Sequence, residues 1–345
     1  MGNSTRTLTL VVPGLLGPLP GMDSPGFPRP HAPAAERLLA RGRRTGADGE
    51  GYEATLCGLF GLHDPETSLP LAAITRLADT GERDAGCWLR ADPVHLRADQ
   101  SRLILFDDQA LHIQPDEASA LMERLESLYG NDRDWHLEAP VPSRWYLRSE
   151  QAAQLETTPL PRVIGDHVDP HLPRGPDAPQ WHRMLNEVQM LFHDAPVNAA
   201  RENEGRPAIN SVWFWGGGRL PALPPAPWRR VWSDDPLAVG LAALAGVARS
   251  DVPMNAREWL RDAQPGAHLV VLDGLRAATS YGDVEAWMRD IEAMEHAWLA
   301  PLADGLTHGR LKELDILPCN RYRYRIGRGS AWRLWRRPRP LAASG

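Results

Sequence analysis

The sequence predicts an α/β fold with a mostly parallel sheet flanked by helices, interrupted by an inserted α+β region. Three observations predict it. A short β-branched and apolar run near the N-terminus ends at a Pro-Gly turn, as a buried first strand does. Apolar residues at helical spacing and a second buried run follow residue 215. Between these parts, short strand patterns are joined by tight turns.

The N-terminal elements have the order strand, loop and helix. Residues 7–12 read Thr-Leu-Thr-Leu-Val-Val and stop at Pro13-Gly14, which predicts a buried strand followed by a turn. After a Pro/Gly-rich loop, residues 33–42 predict a helix, because proline favours the first helical turn and Gly42 favours its end. This order is typical of α/β proteins.

The middle of the chain predicts strands, turns and one helix. A strand at 101–106 is followed by a turn at 107–109 into a short strand at 111–113, and Asp116 begins a helix that ends near Tyr129. Further strands are predicted at 87–90 and near Trp145. We interpret Ala91 to Leu96 as a turn, although Asp92 and His95 could alternatively form an acid/base pair.

The second half returns to the α/β pattern. An amphipathic helix contains Trp181, Met184, Leu185, Val188, Leu191 and Phe192. Further helices are predicted at 236–249, 254–262 and 283–303, with a buried strand at 268–272. We therefore predict a discontinuous core of residues 1–84 and 211–345, with residues 85–210 inserted as an α+β cap domain.

Composition excludes several classes of protein. The chain has 345 residues, and its net charge of −6 argues against a wholesale binder of nucleic acid or anionic membranes. Three cysteines without a CxxC pair indicate neither a disulfide framework nor a zinc ribbon. The sequence contains no apolar run of roughly 18 residues. We expect a cytoplasmic protein with no membrane span and no cofactor.

The segment from Ala195 to Pro221 combines amide, guanidinium and glycine groups. A predicted strand at 209–215 runs into three glycines, which permit positive φ or close backbone approach and could hold an anion on exposed amides. An arginine could add a bidentate contact to a carboxylate or phosphate. The alternative is a hinge braced by polar side chains. The candidate anion-binding residues are Asn198, Arg201, Asn210, Gly216, Gly217 and Gly218.

The same segment resembles a known family. Pro196-Val-Asn198, Arg201, Pro207-Ala208, Asn210 and the glycine turn resemble archaeal-type cofactor-independent phosphoglycerate mutases of the alkaline phosphatase superfamily, as does Asp169-Pro-His171. Nearly the whole chain resembles the proteobacterial RpfE-type regulatory proteins, from the regulation-of-pathogenicity-factors cluster. The segments that carry this second resemblance are Leu89 to Leu96, Asn186 to Met190 and Asn210 to Gly218.

The resemblance implies an alkaline-phosphatase-like α/β core with an inserted cap. It also implies a site with two metal ions, which in such enzymes activate a Ser or Thr nucleophile and clamp a phosphoryl group. The family's first metal ligand, an Asp after the first strand, is replaced by Pro13. Asp273 remains after the strand at 268–272, but no His follows it nearby, and Pro318-Cys-Asn320 stands where an Asp-His pair is expected. We expect a metal-free relative without catalytic residues.

Two alternatives stay open. Asp166, His167, Asp169 and His171, together with His182 or His193, could converge on zinc, or they could form a hydrogen-bonded loop. Residues 321–340 alternate arginine with Tyr322, Tyr324, Trp332 and Trp335, which could contact nucleic acid or form an amphipathic strand with solvated arginines.

The function expected from these observations is regulation or ligand sensing on a phosphoglycerate-mutase-like scaffold. The expected ligand is a small anionic metabolite, and a protein partner is possible. The alternative is an active phosphoglycerate mutase, or another metal-dependent phosphoryl-transfer enzyme, with a rearranged site.

Overall fold

A computed structural model describes residues 6–22, 24, 26–47, 49–63, 69–100, 102–129, 135–149, 153–333 and 336–341, without the side chains of residues 331 and 332. The chain divides into two compact units. Unit 1 comprises Met1–His63 and Leu223–Gly345, and unit 2 comprises Asp64–Ala222.

The strands are β1 (Arg6–Val11), β2 (Arg43–Gly46), β3 (Cys87–Asp99), β4 (Arg102–Phe106), β5 (Trp135–Val141), β6 (Arg144–Ser149), β7 (Ser211–Gly218), β8 (Arg230–Trp232), β9 (Ala248–Ser250), β10 (Gly266–Val271), β11 (Glu313–Leu317) and β12 (Tyr322–Gly327). The helices are α1 (Pro33–Arg41), α2 (Tyr52–Leu59), α3 (Leu71–Thr80), α4 (Asp108–Leu111), α5 (Pro115–Tyr129), α6 (Ala178–His193), α7 (Pro196–Asn203), α8 (Pro236–Leu244), α9 (Ala256–Asp262), α10 (Arg276–Ser280), α11 (Val284–Met294) and α12 (Ala300–Thr307).

Unit 1 is built on a seven-stranded sheet in the order β2-β12-β11-β1-β10-β8-β9. The five strands from β11 to β9 in this order are parallel, and β12 and β2 are antiparallel to their neighbours. Side chains of β1 at Leu8 and Leu10 pack with α1, α9, α11 and α12 in one apolar cluster. The predicted mostly parallel sheet flanked by helices is confirmed.

Unit 2 is an antiparallel sheet covered by helices. Its order is β4-β3-β6-β5, and β7 also pairs with β3. Side chains of α5 and α6 pack with residues of β3, β6 and β7 in one apolar cluster. All the residues predicted for the buried face of α6 are buried except Leu191, which is half-buried.

The predicted turn between Ala91 and Leu96 is wrong, because β3 runs through it. Asp92 and Pro93 pair with Trp213 and Val212 of β7, and the register shifts only between Trp88 and Arg90. Proline removes a backbone donor but keeps an extended φ, which a strand accepts where that donor is not needed. The short strand predicted at 111–113 is also wrong. Asp107 caps α4 there through Gln109 N.

Unit 2 extends further at both ends than the cap domain predicted at residues 85–210. Residues 64–84 and 211–222, which we predicted to belong to the core, group with the inserted region. The reason is strand pairing, since β7 lies against β3 over most of its length and α3 packs on the same two strands.

The helix predicted at 283–303 extends from α11 into α12 through a π-helical stretch at Glu295–Leu299. The buried carboxylate of Glu295 accepts hydrogen bonds from Ala34 N (2.6 Å) and Ala35 N (3.0 Å). These donors lie in the first turn of α1, which has no side-chain cap of its own. A carboxylate from a distant helix therefore caps α1.

We expect Glu295→Ala to lower the free energy of unfolding by about 2 to 3 kcal/mol, since it leaves two buried amide donors without an acceptor. Urea unfolding checks this. Glu285→Ala on the exposed face of α11 is the control and is expected to change stability by less than about 0.5 kcal/mol. Equal stability of the two variants would contradict the capping role.

No helix among the described residues is long and apolar enough to cross a membrane.

Candidate functional site

Four parallel strands of unit 1 end at one edge of the sheet. After β1 stands Pro13, after β8 the run Ser233-Asp-Asp235, after β10 Asp273, and after β11 Pro318-Cys319. The carboxyl ends of neighbouring parallel strands form the usual ligand edge of an α/β sheet. The helix α2 also begins here, since Gly51 N, at its start, donates to Cys319 O (2.9 Å).

Arg276 lies in the middle of this edge. One terminal nitrogen is 3.6 Å from Glu53 Oε1, and the other is 3.4 Å from Asp235 Oδ2. Its Cζ lies 4.1 Å from the centre of the Tyr52 ring, a distance at which a cation is attracted to the ring face. Glu53, Tyr52 and Asp235 are buried, whereas the Arg276 side chain is 23% exposed. The edge therefore holds one guanidinium among several acidic groups.

Burial and negative charge shift the pKa of the groups around Arg276. Burial, followed by the Asp235 carboxylate, raises the pKa of the Tyr52 hydroxyl well above its usual value. Asp273 is exposed as a residue, yet desolvation of its carboxyl and the nearby Asp235 raise its pKa. Burial alone would lower the pKa of Arg276, but Tyr52, Glu53, Asp235 and Asp273 outweigh burial and raise it. The arginine remains charged and the tyrosine remains protonated.

Two thiols border this edge. Burial and the Glu53 carboxylate raise the pKa of Cys57 to about 12. Burial is also the main reason that the pKa of Cys319 rises to about 12, and Thr55 and Arg276 lower it only in part. Neither thiol is a thiolate at neutral pH, so neither is an activated nucleophile.

The residues at this edge do not fit the two-metal site that the resemblance implies. Pro13 has no side-chain donor, and burial raises the pKa of Cys319, which opposes the thiolate that metal ligation by cysteine requires. Asn320 Oδ1 accepts from Tyr322 N (2.9 Å). Asp235 Oδ1 accepts from Leu237 N and Ala238 N and so caps α8. Within the described part of the chain, no group of three or more His, Cys, Asp or Glu side chains is arranged to hold a metal ion.

Most of this cluster is not predicted from the sequence, which points to Asp273 but not to Tyr52, Glu53, Asp235 or Arg276. The sequence does indicate a capping role for Asp235, because Asp-Pro before an apolar run is typical of the start of a helix. Nothing local to Glu53 or Tyr52 shows that α2 begins beside the ends of β8 and β10.

Two of the predicted anion-site residues line a groove in unit 2. The groove has a volume of about 830 Å³ and contains residues of β3, α6, α7 and the loop before β7. Asn198 and Asn210 line it, as do His95 and Arg206. The side chain of Asn210 accepts from Leu96 N (2.7 Å) and donates to Leu96 O (2.9 Å), so it joins this loop to β3.

The prediction that Arg201 binds an anion is not supported by its contacts. Arg201 is 1% exposed. Its nitrogens donate to Glu117 Oε2 (2.6 Å), Leu111 O (2.6 Å) and Pro207 O (2.7 Å). Asn198 is also buried, and its amide bonds Phe192 O, Ile209 O and Ile209 N. Both side chains brace the turn between α7 and β7, as the alternative predicts, but this turn lies within unit 2 and not where the inserted region rejoins the core.

The glycines Gly216 to Gly218 lie apart from these residues. A Cβ on Gly218 would stand 2.6 Å from Pro70 Cβ, and one on Gly216 would stand 3.0 Å from Leu71 Cβ. Their lack of a side chain therefore lets the start of α3 approach β7. Gly217 and Gly218 line a separate cavity of about 60 Å³. The six predicted residues do not form one pocket.

The Asp166 to His171 loop is held by hydrogen bonds. Asp166 accepts from His167 N (2.7 Å), and its other oxygen lies 3.3 Å from His171 Nε2. His182 Nε2 lies 2.9 Å from Pro173 O. The zinc alternative for Asp166, His167, Asp169 and His171 is therefore not supported, because no metal-holding group occurs among the residues that the structure describes.

Asp92 and His95 do not form an acid/base pair. Asp92 bonds Arg90, Trp215 and Trp145 in the core of unit 2, whereas His95 Nδ1 lies 2.7 Å from Ala208 O. Burial raises the pKa of Asp92 and lowers that of His95. A three-residue separation in a strand also places the two side chains on opposite faces.

The arginine-rich stretch forms a strand, β12, with an apolar face as predicted, but Arg323 and Arg325 are paired with a carboxylate and are not simply solvated. Tyr324 and Ile326 are buried, and Arg323 and Arg325 both donate to the buried Asp315. These two guanidinium groups are therefore paired with a carboxylate of β11. Trp335 and the side chain of Trp332 lie outside the described residues.

Comparisons with known proteins identify the scaffold. No protein-family model matches the chain. A probable 2,3-bisphosphoglycerate-independent phosphoglycerate mutase of Geobacter sulfurreducens is 26% identical over 201 residues, which cover 55% of this chain and 50% of that protein. The corresponding mutase of Methanothrix thermoacetophila is 27% identical over 236 residues, covering 62% of this chain and 59% of that protein. The chain thus matches little more than half the length of these curated relatives.

Solved structures agree over a larger part of the chain. The cofactor-independent phosphoglycerate mutase of Thermoplasma acidophilum has a TM-score of 0.50 at 18% identity, covering 99% of this chain and 95% of that chain. The PH0037 protein of Pyrococcus horikoshii has a TM-score of 0.51 at 16% identity, covering 94% and 87%. The curated relatives and the Thermoplasma acidophilum structure are named as cofactor-independent or 2,3-bisphosphoglycerate-independent phosphoglycerate mutases, and this chain has the fold of those enzymes.

Proposed function

We propose that this chain is a regulatory or ligand-sensing protein of the RpfE type, built on the mutase scaffold and working without a catalytic metal. The observation that carries the proposal is the edge around Arg276. A guanidinium lies between two carboxylates there, and the ends of β1 and β11 supply neither a carboxylate nor an imidazole. Metal-dependent phosphoryl transfer needs several such ligands converging on the ion.

The ligand that we propose is a small anionic metabolite bound in the groove of unit 2. About 830 Å³ is within the usual size of small-molecule sites. Arg206 is 31% exposed there and pairs with Glu117 and Glu204, so its guanidinium is the cation that an anion would share. His95, Gln189 and His193 also line the groove, together with the acidic residues Asp194 and Glu202.

A second candidate function is metal-dependent phosphoglycerate mutase activity at a rearranged site. The names of the curated relatives favour it, and identities of 26% and 27% leave room for a change of role. The two candidates differ in their need for metal.

Elemental analysis and thermal unfolding separate the two functions. We expect purified protein without stoichiometric metal, an unchanged melting temperature with manganese, zinc or a chelator, and stabilisation by 3-phosphoglycerate alone. Near-stoichiometric metal together with metal-dependent stabilisation would return phosphoryl transfer to first place.

Arg206→Ala tests the groove. We expect Arg206→Ala to raise the apparent Kd for 3-phosphoglycerate, measured from thermal stabilisation, at least about tenfold. The reason is that a charge-assisted contact contributes about 1.5 to 3 kcal/mol. Arg183→Ala, at an exposed position of α6 outside the groove lining, should leave the apparent Kd unchanged. Equal binding by both variants would remove the groove as the anion site.

A further inference from the structure

Arg276 is held differently from the buried Arg201. Arg201 makes hydrogen bonds of 2.6 to 2.7 Å, whereas Arg276 stands 3.4 and 3.6 Å from its two carboxylates. Strong charge-assisted hydrogen bonds are shorter, at about 2.7 to 2.9 Å. Arg276 is therefore not locked into one bidentate pair. Its guanidinium lies as a shared charge between Glu53 and Asp235 with one face on Tyr52.

The carboxylates around Arg276 need such a charge. Glu53 and Asp235 are 6% and 7% exposed, and a buried carboxylate without a counter-charge is strongly destabilising. They come from two separate parts of the chain, α2 and the N-cap of α8, and the Arg276 guanidinium contacts both. The interaction also holds α2 against the ends of β8 and β10.

We infer that Arg276 is the resident cation of this sheet edge, in the place where the resemblance puts a metal, and that the edge is built to hold a planar guanidinium. The flat ring of Tyr52 provides a stacking face, and Glu53 and Asp235 provide one carboxylate for each terminal nitrogen. A metal ion would need tightly converging oxygen or nitrogen ligands, and could not use the ring face. The inference extends the proposed function, since a resident arginine accounts for metal independence.

Removal of the side chain, with replacement by a small guanidinium, tests the inference. Arg276→Ala is expected to lower the melting temperature by roughly 5 °C, because it leaves two buried carboxylates without a counter-charge. Low millimolar methylguanidinium chloride should restore at least half of this loss, while sodium chloride or urea at the same concentration should not. Arg257→Ala, at an exposed position of α9, should show neither the loss nor the restoration.

The metal arms of the experiment decide between a resident arginine and a metal site. Manganese chloride is expected to restore less than methylguanidinium does in Arg276→Ala, and to leave the wild-type melting temperature unchanged. Stronger restoration by manganese, or an Arg276→Ala protein as stable as wild type, would overturn the inference.

Arg276→Lys covers the case in which the alanine variant does not fold. Lysine keeps the charge but not the planar group. It should melt below wild type and gain nothing from methylguanidinium. Wild-type stability in the lysine variant would show that charge alone is needed and would overturn the planar site. These outcomes are independent of 3-phosphoglycerate binding, so failure of this inference and failure of the sensing role are distinguishable.

Discussion

Arg201→Ala is expected to lower the free energy of unfolding by about 3 to 5 kcal/mol, because it breaks a buried ion pair and leaves the carbonyls of Leu111 and Pro207 without this donor. The guanidinium joins Glu117 of α5 and Leu111 O to Pro207 O in the loop before β7. Its removal therefore disconnects three segments at once. Urea unfolding followed by circular dichroism is the measurement.

Arg206→Ala is the matched control for Arg201→Ala. Arg206 contacts the same Glu117 carboxylate at 2.9 Å, yet its side chain is 31% exposed. Ion pairs near the surface contribute at most about 1 kcal/mol. The loss in the free energy of unfolding should thus be several-fold larger for Arg201→Ala than for Arg206→Ala. Comparable small losses would mean that burial does not strengthen the Arg201 pair, and the bracing role would have to be abandoned.

The same contacts predict a pH dependence. Burial alone would raise the pKa of Glu117, but hydrogen bonds from Gln114 N, Arg206 and Arg201 lower it below the usual value. A carboxyl with a lowered folded pKa stabilises the protein above its unfolded pKa, and this contribution is lost as the pH falls through the folded pKa. We therefore expect a fall in pH to lower the free energy of unfolding less in Arg201→Ala than in wild type.

The fold of unit 1 could be predicted from local pattern because its strands and helices have strong signals. The β-branched run before Pro13 and the apolar run after residue 265 are buried on both faces, so each stands out as a parallel strand. Short or edge strands carry less information. The strand β2 has four exposed residues and β9 has three residues, and neither was predicted.

The site could be predicted only in part, since the chemistry depends on contacts distant in sequence. An arginine at position 201 suggested anion binding, but Glu117, the carboxylate that neutralises it, lies 84 residues away in the sequence. Likewise, Arg276 meets Glu53 through the topology of the sheet. A single sequence shows which groups carry charge and not which groups are already paired.

Asp92 is another charged residue whose partner the sequence does not reveal. Its removal is the second change for which we expect a large loss of stability. Its carboxylate is 1% exposed and bonds Arg90 at 2.7 Å and Trp215 Nε1 at 2.8 Å. Arg90 lies between the rings of Tyr146 and Trp215, with its Cζ 5.1 Å from each centre. Asp92→Ala would leave this guanidinium buried without a counter-charge. We expect a loss of about 3 to 5 kcal/mol in the free energy of unfolding.

A double-mutant cycle separates the ion pair from the packing around it. Arg90→Met should also be costly alone, because it leaves Asp92 unpaired, but the double variant Arg90→Met and Asp92→Leu should lose less than the sum of the single variants. Asp99→Ala, at the exposed end of β3, should be close to wild type. Additive losses in the double variant would mean that Arg90 and Asp92 are stabilised by separate neighbours, and that β3 does not depend on their pairing to pass through the core of unit 2.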